Sequence, residues 1–152
     1  MLAALTTTSV ALLRTGQSAW KSHRDEYSVR ESALSVLRHV TRKVRQAIRV
    51  ADVSDESTSS GTLTLVMSDN ARLVYAHNNG NSQALYGVTT ASNLLAPQIK
   101  TFRFAGLKAN GSTATTEPDL VHAVRCTVTY DVSRPGGTTT ETVSCIAWLR
   151  SW

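Results

Sequence analysis

The chain has 152 residues, 41% of them apolar and 18% charged, a balance that suits one domain with a single core and excludes both a disordered chain and a two-domain enzyme. Its formal charge is +5, with nine Lys/Arg against Asp25, Glu26 and Glu31 up to residue 51 and seven against eight acids beyond it. The basicity therefore belongs to the N-terminal segment and directs it toward an anionic partner, which could be nucleic acid, lipid headgroups or another protein.

The chain opens with Leu2, Leu5, Val10, Leu12 and Leu13 around a Thr6-Thr7-Thr8-Ser9 insertion. This run is shorter and more polar than the roughly 17–25 apolar residues a bilayer span requires. It also lacks the basic n-region and cleavage site of a signal peptide. It reads as the lower end of a longer helix.

From Gln17 to Asp52 there is no proline or glycine, and Val29, Ala33, Leu37, Val40, Val44, Ile48 and Ala51 recur at steps of three or four. That spacing is one apolar helix face. Arg38, Arg42, Lys43, Arg45 and Arg49 fall on the other faces, with no acid between Ser32 and Ala51. A helix from Leu2 to Ala51 would run about 75 Å, longer than a small domain is wide, so its first half must project. The expected organisation is an N-terminal helix over residues 1–52, projecting over 1–24 and packed on a sheet over 25–52, followed by an antiparallel β domain over 53–152.

After a polar loop ending at Gly61 the period changes to two. Strands are expected at Thr62–Met67, Arg72–His77, Gln83–Val88 and Ile99–Phe104, with turns at Ser68-Asp69-Asn70 and Asn78-Asn79-Gly80-Asn81. Adjacent short strands with tight turns imply an antiparallel meander. Lys108 to Pro118 is a Gly/Ser/Thr/Asn loop. The last hairpin is the sharpest expectation: Leu120–Val132, a four-residue turn at Arg134-Pro135-Gly136-Gly137, then Thr138–Trp148. If Ser133 faces Thr138, then Val128 faces Val143, Cys126 faces Cys145 and Val124 faces Ala147. That register is expected to put every apolar residue of both strands on one face.

Cys126 and Cys145 are the only two cysteines. With no Cys-x-x-Cys spacing and no histidine pair nearby, zinc is not indicated. Opposed residues have Cβ atoms about 4.5–5.5 Å apart, close to the reach of a disulfide, so the pair is either one bond or two buried thiols.

In their order along the chain, these features resemble the type IV pilins, and most nearly the minor pseudopilins of type II secretion called the J type. The resemblance rests on several stretches: Leu2-Ala3-Ala4-Leu5 as the inner end of a membrane helix, Trp20, and Arg38 with Val44-Arg45-Gln46-Ala47. It continues through Leu73-Val74-Tyr75, Leu94 to Phe104 and Pro118 to Val128, and closes with Trp148-Leu149-Arg150. It covers nearly the whole chain. It implies an α+β, pilin-like fold and a structural, non-catalytic subunit of a membrane-anchored periplasmic filament. Such a subunit is held in the bacterial inner membrane by a single pass and contacts other pilin-like subunits through N-terminal helices. A minor type IV pilin of a pilus or DNA-uptake system is the neighbouring alternative. The family's Gly-Phe-Thr-Leu-Ile-Glu-like leader junction has no counterpart here, so the leader and the first part of the membrane helix are expected to lie outside this sequence.

The contacts implied for filament or membrane are Leu2, Leu5, Val10, Leu12, Leu13 and Trp20. Beside Lys21, the Trp20 ring suits a membrane interface as well as plain packing. The basic helix face allows a soluble module binding nucleic acid or an acidic protein, although neither a helix-turn-helix nor an aromatic stacking platform accompanies it. Ser18-Ala19-Trp20-Lys21, Ser68-Asp69-Asn70 and Lys100-Thr101-Phe102 are similar in order to the motifs of penicillin-binding serine enzymes. The third lacks its glycine, however, and the chain is too short for that fold. His23, His39, His77 and His122 have no ligands at metal spacing. No catalytic residue, metal, cofactor or small-molecule substrate is expected.

Overall fold

A computed structural model describes residues 2–134 and 136–150, with side chains from residue 16 onward except those of 18 and 22. The architecture is α+β. A 45-residue helix α1 (Leu2–Gln46) is followed by β1 (Arg49–Val53), β2 (Thr62–Val66), β3 (Arg72–Asn78), β4 (Gln83–Val88) and β5 (Asn93–Ala96). Next come β6 (Thr101–Leu107), a two-residue β7 (Ala114–Thr115), a 3-10 turn at Pro118–Leu120, β8 (Ala123–Arg134) and β9 (Gly137–Trp148). The strands form two antiparallel sheets rather than one: a meander ordered β1-β2-β3-β4-β5 and a four-stranded sheet ordered β7-β6-β8-β9.

The helix does not reach residue 52. It stops at Gln46, and Ile48 donates its N–H to the Val66 carbonyl at 2.9 Å, which opens the pairing of β1 with β2. Ile48 to Val53 is rich in β-branched residues, which suit a strand better than a helix, and in β1 both Val50 and Val53 are buried. Ile48, expected on the buried helix face, is accordingly 40% exposed, and Ala51 and Arg49 belong to a strand. A bulge between Val50 and Asp52 lets Val50 and Val53, three residues apart, both face the core.

The helix face that is buried comprises Val29, Ala33, Val36, Leu37, Val40 and Val44, and is continued by Ala47 just past the helix end. It lies on β8 and β9 and touches β5. The opposing core comes from Leu63, Leu65, Leu73 and Tyr75 of the meander, Phe102 and Phe104 of β6, and Val124, Cys126, Val128, Tyr130 and Val132 of β8. One continuous cluster thus joins the helix and both sheets. The sheets are stitched where Gly61 donates its N–H to the Phe102 carbonyl at 2.8 Å and Phe102 donates to the Ser59 carbonyl at 3.2 Å. A Cβ on Gly61 would stand 2.9 Å from that Phe102 oxygen, so only glycine allows the close approach.

The final hairpin has the expected register, with Ser133 opposite Thr138, Val128 opposite Val143, Cys126 opposite Cys145 and Val124 opposite Ala147. The strands run further than expected, to a pairing of Arg134 with Gly137, which leaves a two-residue turn in place of four. Pro135 of that turn lies outside the described residues. One expectation about the faces fails: Ile146 and Trp148 point away from the helix side, 45% and 48% exposed. The Trp148 ring finds its own partner, since a Cβ on Gly111 would meet it at 3.1 Å. The loop between β6 and β7 therefore packs against the Trp148 ring on the outer face of this sheet.

Three strands were not legible as strands. The first is β1, hidden in the helix period, and the second is β5, four residues before Pro97. The third is β7, which closes the polar loop by pairing with Gly106 and Leu107. Ion pairs fasten the outside: Arg134 bridges Glu26 of the helix at 2.9 Å and Glu141 of β9 at 2.6 Å, Arg125 meets Glu56 at 2.8 Å, and Lys100 meets Asp131 at 3.0 Å.

Candidate interaction surface

The helix divides by what it touches. From Val29 onward it buries a face in its own domain, whereas Gly16, Gln17, Ala19, Trp20, Lys21, His23, Arg24 and Asp25 are all exposed. Trp20 is 72% exposed, and Tyr27, one heptad later and hence on the same side of the helix, is 70% exposed. Two large aromatics at that spacing on an isolated arm form a stripe without a partner among the described residues. The backbone of Leu2, Leu5, Val10, Leu12 and Leu13 continues the helix, but their side chains lie outside the described residues. Among the described residues no helix is long and apolar enough to cross a membrane.

Below the stripe, the helix and the end of β5 enclose an open groove of about 570 Å³ between Arg24, Tyr27, Glu31 and Ser35 on one side and Leu95 and Pro97 on the other. Leu94 beside it is exposed. The groove continues the Trp20–Tyr27 side of the helix, so arm and groove form one surface with aromatic, apolar and charged portions. Tyr27 and Leu95 were missed by sequence reading. The heptad step from Trp20 was the available signal for Tyr27.

The basic residues do not form a single helix face. Arg38 is bound to Glu31 at 3.3 Å, Arg42 and Arg45 are exposed on the helix, and Lys43 is half-buried. Arg49, expected to extend the helical row, instead starts β1. There it stands opposite Val66, which in turn faces Arg72, so two arginines flank one valine across three strands. Arg72 was not foreseen, because the pairing that brings it there exists only in the sheet.

Beneath this basic region His39 sits half-buried between Tyr75 and Tyr86, its ring 5.9 Å and 5.0 Å from theirs in edge-on contacts. The Tyr75 hydroxyl, whose ionisation burial opposes, is hydrogen-bonded with His39 Nδ1 at 3.1 Å. Burial first, then the charges of Arg42 and Lys43, hold the His39 pKa below its ordinary value. The neutral ring is therefore the folded form. Stability from this group is complete above the unfolded value of about 6.5 and is lost as pH falls through that value toward the folded pKa. Urea midpoints measured against pH should fall over that interval, ahead of the carboxylate range in which Asp55 and Asp131 become protonated. His39→Gln should remove this step and leave the carboxylate-range decline.

His77 is a different case. Buried on β3, it bonds the Ile99 carbonyl through Nε2 at 2.8 Å and Ser60 Oγ through Nδ1 at 3.2 Å, bracing the junction between the sheets. His23 is exposed on the arm and His122 precedes β8. No group of three or more His, Cys, Asp or Glu among the described residues is placed to hold a metal. The three segments similar to serine-enzyme motifs fall on the helix arm, in the β2–β3 turn and at the start of β6, where Lys100 is engaged with Asp131 and Thr140.

Cys126 and Cys145 are neighbours across β8 and β9, and both are thiols in this structure. The Cys145 sulfur points at the helix, 3.2 Å from Thr41 Oγ1.

No protein-family model matches the chain, no curated protein matches it, and no solved structure matches it.

Proposed function

We propose that this protein is a non-catalytic structural subunit of pilin-like fold, a minor pseudopilin-like component of a membrane-anchored periplasmic filament. The observation that carries the reading is the division of one helix into a segment buried on its own sheets from Val29 onward and an exposed arm that presents Trp20. An arm of this length is costly to leave in water with its aromatics uncovered, and packing against equivalent helices of neighbouring subunits would cover it. The groove beside Tyr27 extends the same contact onto the globular part, and Arg134, bridging Glu26 of the helix and Glu141 of β9, ties the arm's base to the hairpin.

The test is made in the source cell with the natural gene, including any sequence upstream of Met1. Spheroplast protease accessibility and membrane fractionation should give an inner-membrane protein whose β domain is degraded from outside. A photoreactive amino acid at Trp20 should crosslink to other small pilin-like subunits. Recovery in the cytosol, with crosslinks to nucleic acid or none at all, would overturn the reading in favour of a soluble module.

A further inference from the structure

The two cysteines are unlike in every respect except their pairing. Cys126 lies on the inner side of β8 and is fully buried in the core cluster, whereas Cys145 is on the edge strand β9 and keeps part of its surface exposed. The register sets them directly opposite, a separation from which a disulfide needs only small adjustment. Cys145 Sγ also has polar neighbours on the helix: Thr41 Oγ1 at 3.2 Å and the Leu37 carbonyl at 4.0 Å.

From this geometry we infer that Cys126 and Cys145 form a thiol–disulfide exchange site, in which Cys145 attacks an incoming low-molecular-weight disulfide and Cys126 resolves the adduct into a cross-strand bond. The Cys145 thiolate displaces one half of the incoming disulfide, RSSR, forming a mixed disulfide and releasing RS⁻. Cys126 then attacks Cys145 Sγ, its proton passes to the departing thiolate, and the second RSH leaves. Two protein thiols are oxidised and one RSSR is reduced to two RSH, so no further oxidant is needed.

The electrostatics agree with this division of labour. The hydrogen bond from Cys126, with that of Thr41 and the charge of Arg45, brings Cys145 down to about 6 against the opposing effect of its burial. Burial pushes Cys126 up, which keeps it protonated until the mixed disulfide stands beside it. The bond would tie the edge strand β9 to β8 under the helix, at the place where α1 bears on the sheet. This inference stands apart from the filament reading, because the chemistry needs only the folded domain.

The experiment treats the reduced, folded protein with oxidised glutathione and follows intact mass and thiol alkylation. The wild type is expected to lose the mass of two hydrogens and both alkylation labels, with no glutathione retained. Cys126→Ser is expected to stop at one glutathione adduct, and Cys145→Ser to remain unmodified. A wild type that retains a stable glutathione adduct, or that keeps two labelled thiols after prolonged exposure, overturns the proposal. So does a Cys145→Ser variant that takes up glutathione as fast as Cys126→Ser. The wild-type mass decides the matter even if a variant fails to fold.

Discussion

Val44→Asp is expected to leave the protein unfolded at neutral pH. Val44 is wholly buried in the cluster that joins the helix to both sheets. Its neighbours one turn away on the same face, Val40 and Ala47, are equally buried and offer no hydrogen-bond donor to a carboxylate. An isolated charge in such a place costs several kcal/mol, a large share of the roughly 5–15 kcal/mol by which a domain of this kind is stable. Because burial raises the pKa of a carboxyl, the penalty shrinks once the new acid is protonated, so part of the structure should return on mild acidification. Far-ultraviolet circular dichroism and urea unfolding of the purified variant measure both effects. Unchanged stability would mean that the helix does not pack on the sheets through this face.

Trp20→Asp makes a comparable change on the same helix and is expected to have the opposite consequence. Trp20 is 72% exposed and no described residue covers it. Substitutions at such positions usually alter stability by no more than about 0.5 kcal/mol in either direction, so the urea midpoint should hardly move. If the arm is the assembly surface, the loss appears elsewhere: the variant should fold, reach the same compartment and fail to enter the filament. Removing a large aromatic anchor and burying a charge between helices each carry a penalty of about 2 kcal/mol or more at an interface. Co-purification of neighbouring subunits with wild type and variant provides the measurement. A variant that assembles normally would confine the interface to the groove beside Tyr27 and β5 or remove it from this side of the helix altogether.

The pair of variants also bears on how the helix could be read in advance. Val29, Ala33, Leu37, Val40 and Val44 were legible because burial on one face imposes a period of three or four on the residue types, whatever the partner. The exposed arm followed from length alone, a 45-residue helix being too long for a small domain to cover. What periodicity could not say was where the helix would stop. Ile48 and Ala51 continue the helical row of Val44, but the chain leaves the helix at Gln46, where the Val66 carbonyl accepts from Ile48 and draws it into the meander. Arg49 went with it, so the expected basic helix face became a shorter helical group and a separate Arg49–Val66–Arg72 row.

The hairpin shows the same boundary from the other side. Alternation along Leu120–Val132 and Thr138–Trp148, with a turn expected at Arg134-Pro135-Gly136-Gly137, pointed to the register in which Cys126 meets Cys145, since a slip by one residue would reverse the faces. The pairing has that register. The sequence by itself therefore determined the long helix, the antiparallel hairpins and the opposed cysteines. The tertiary structure alone decided that the strands divide into two sheets. It alone bracketed His39 between Tyr75 and Tyr86, buried His77 at the sheet junction, and turned Cys145 toward Thr41 and Arg45. The reason is physical: a period is imposed by a single buried face and is written into neighbouring residues. A contact between residues far apart in the chain depends on which elements meet, and no local pattern encodes that.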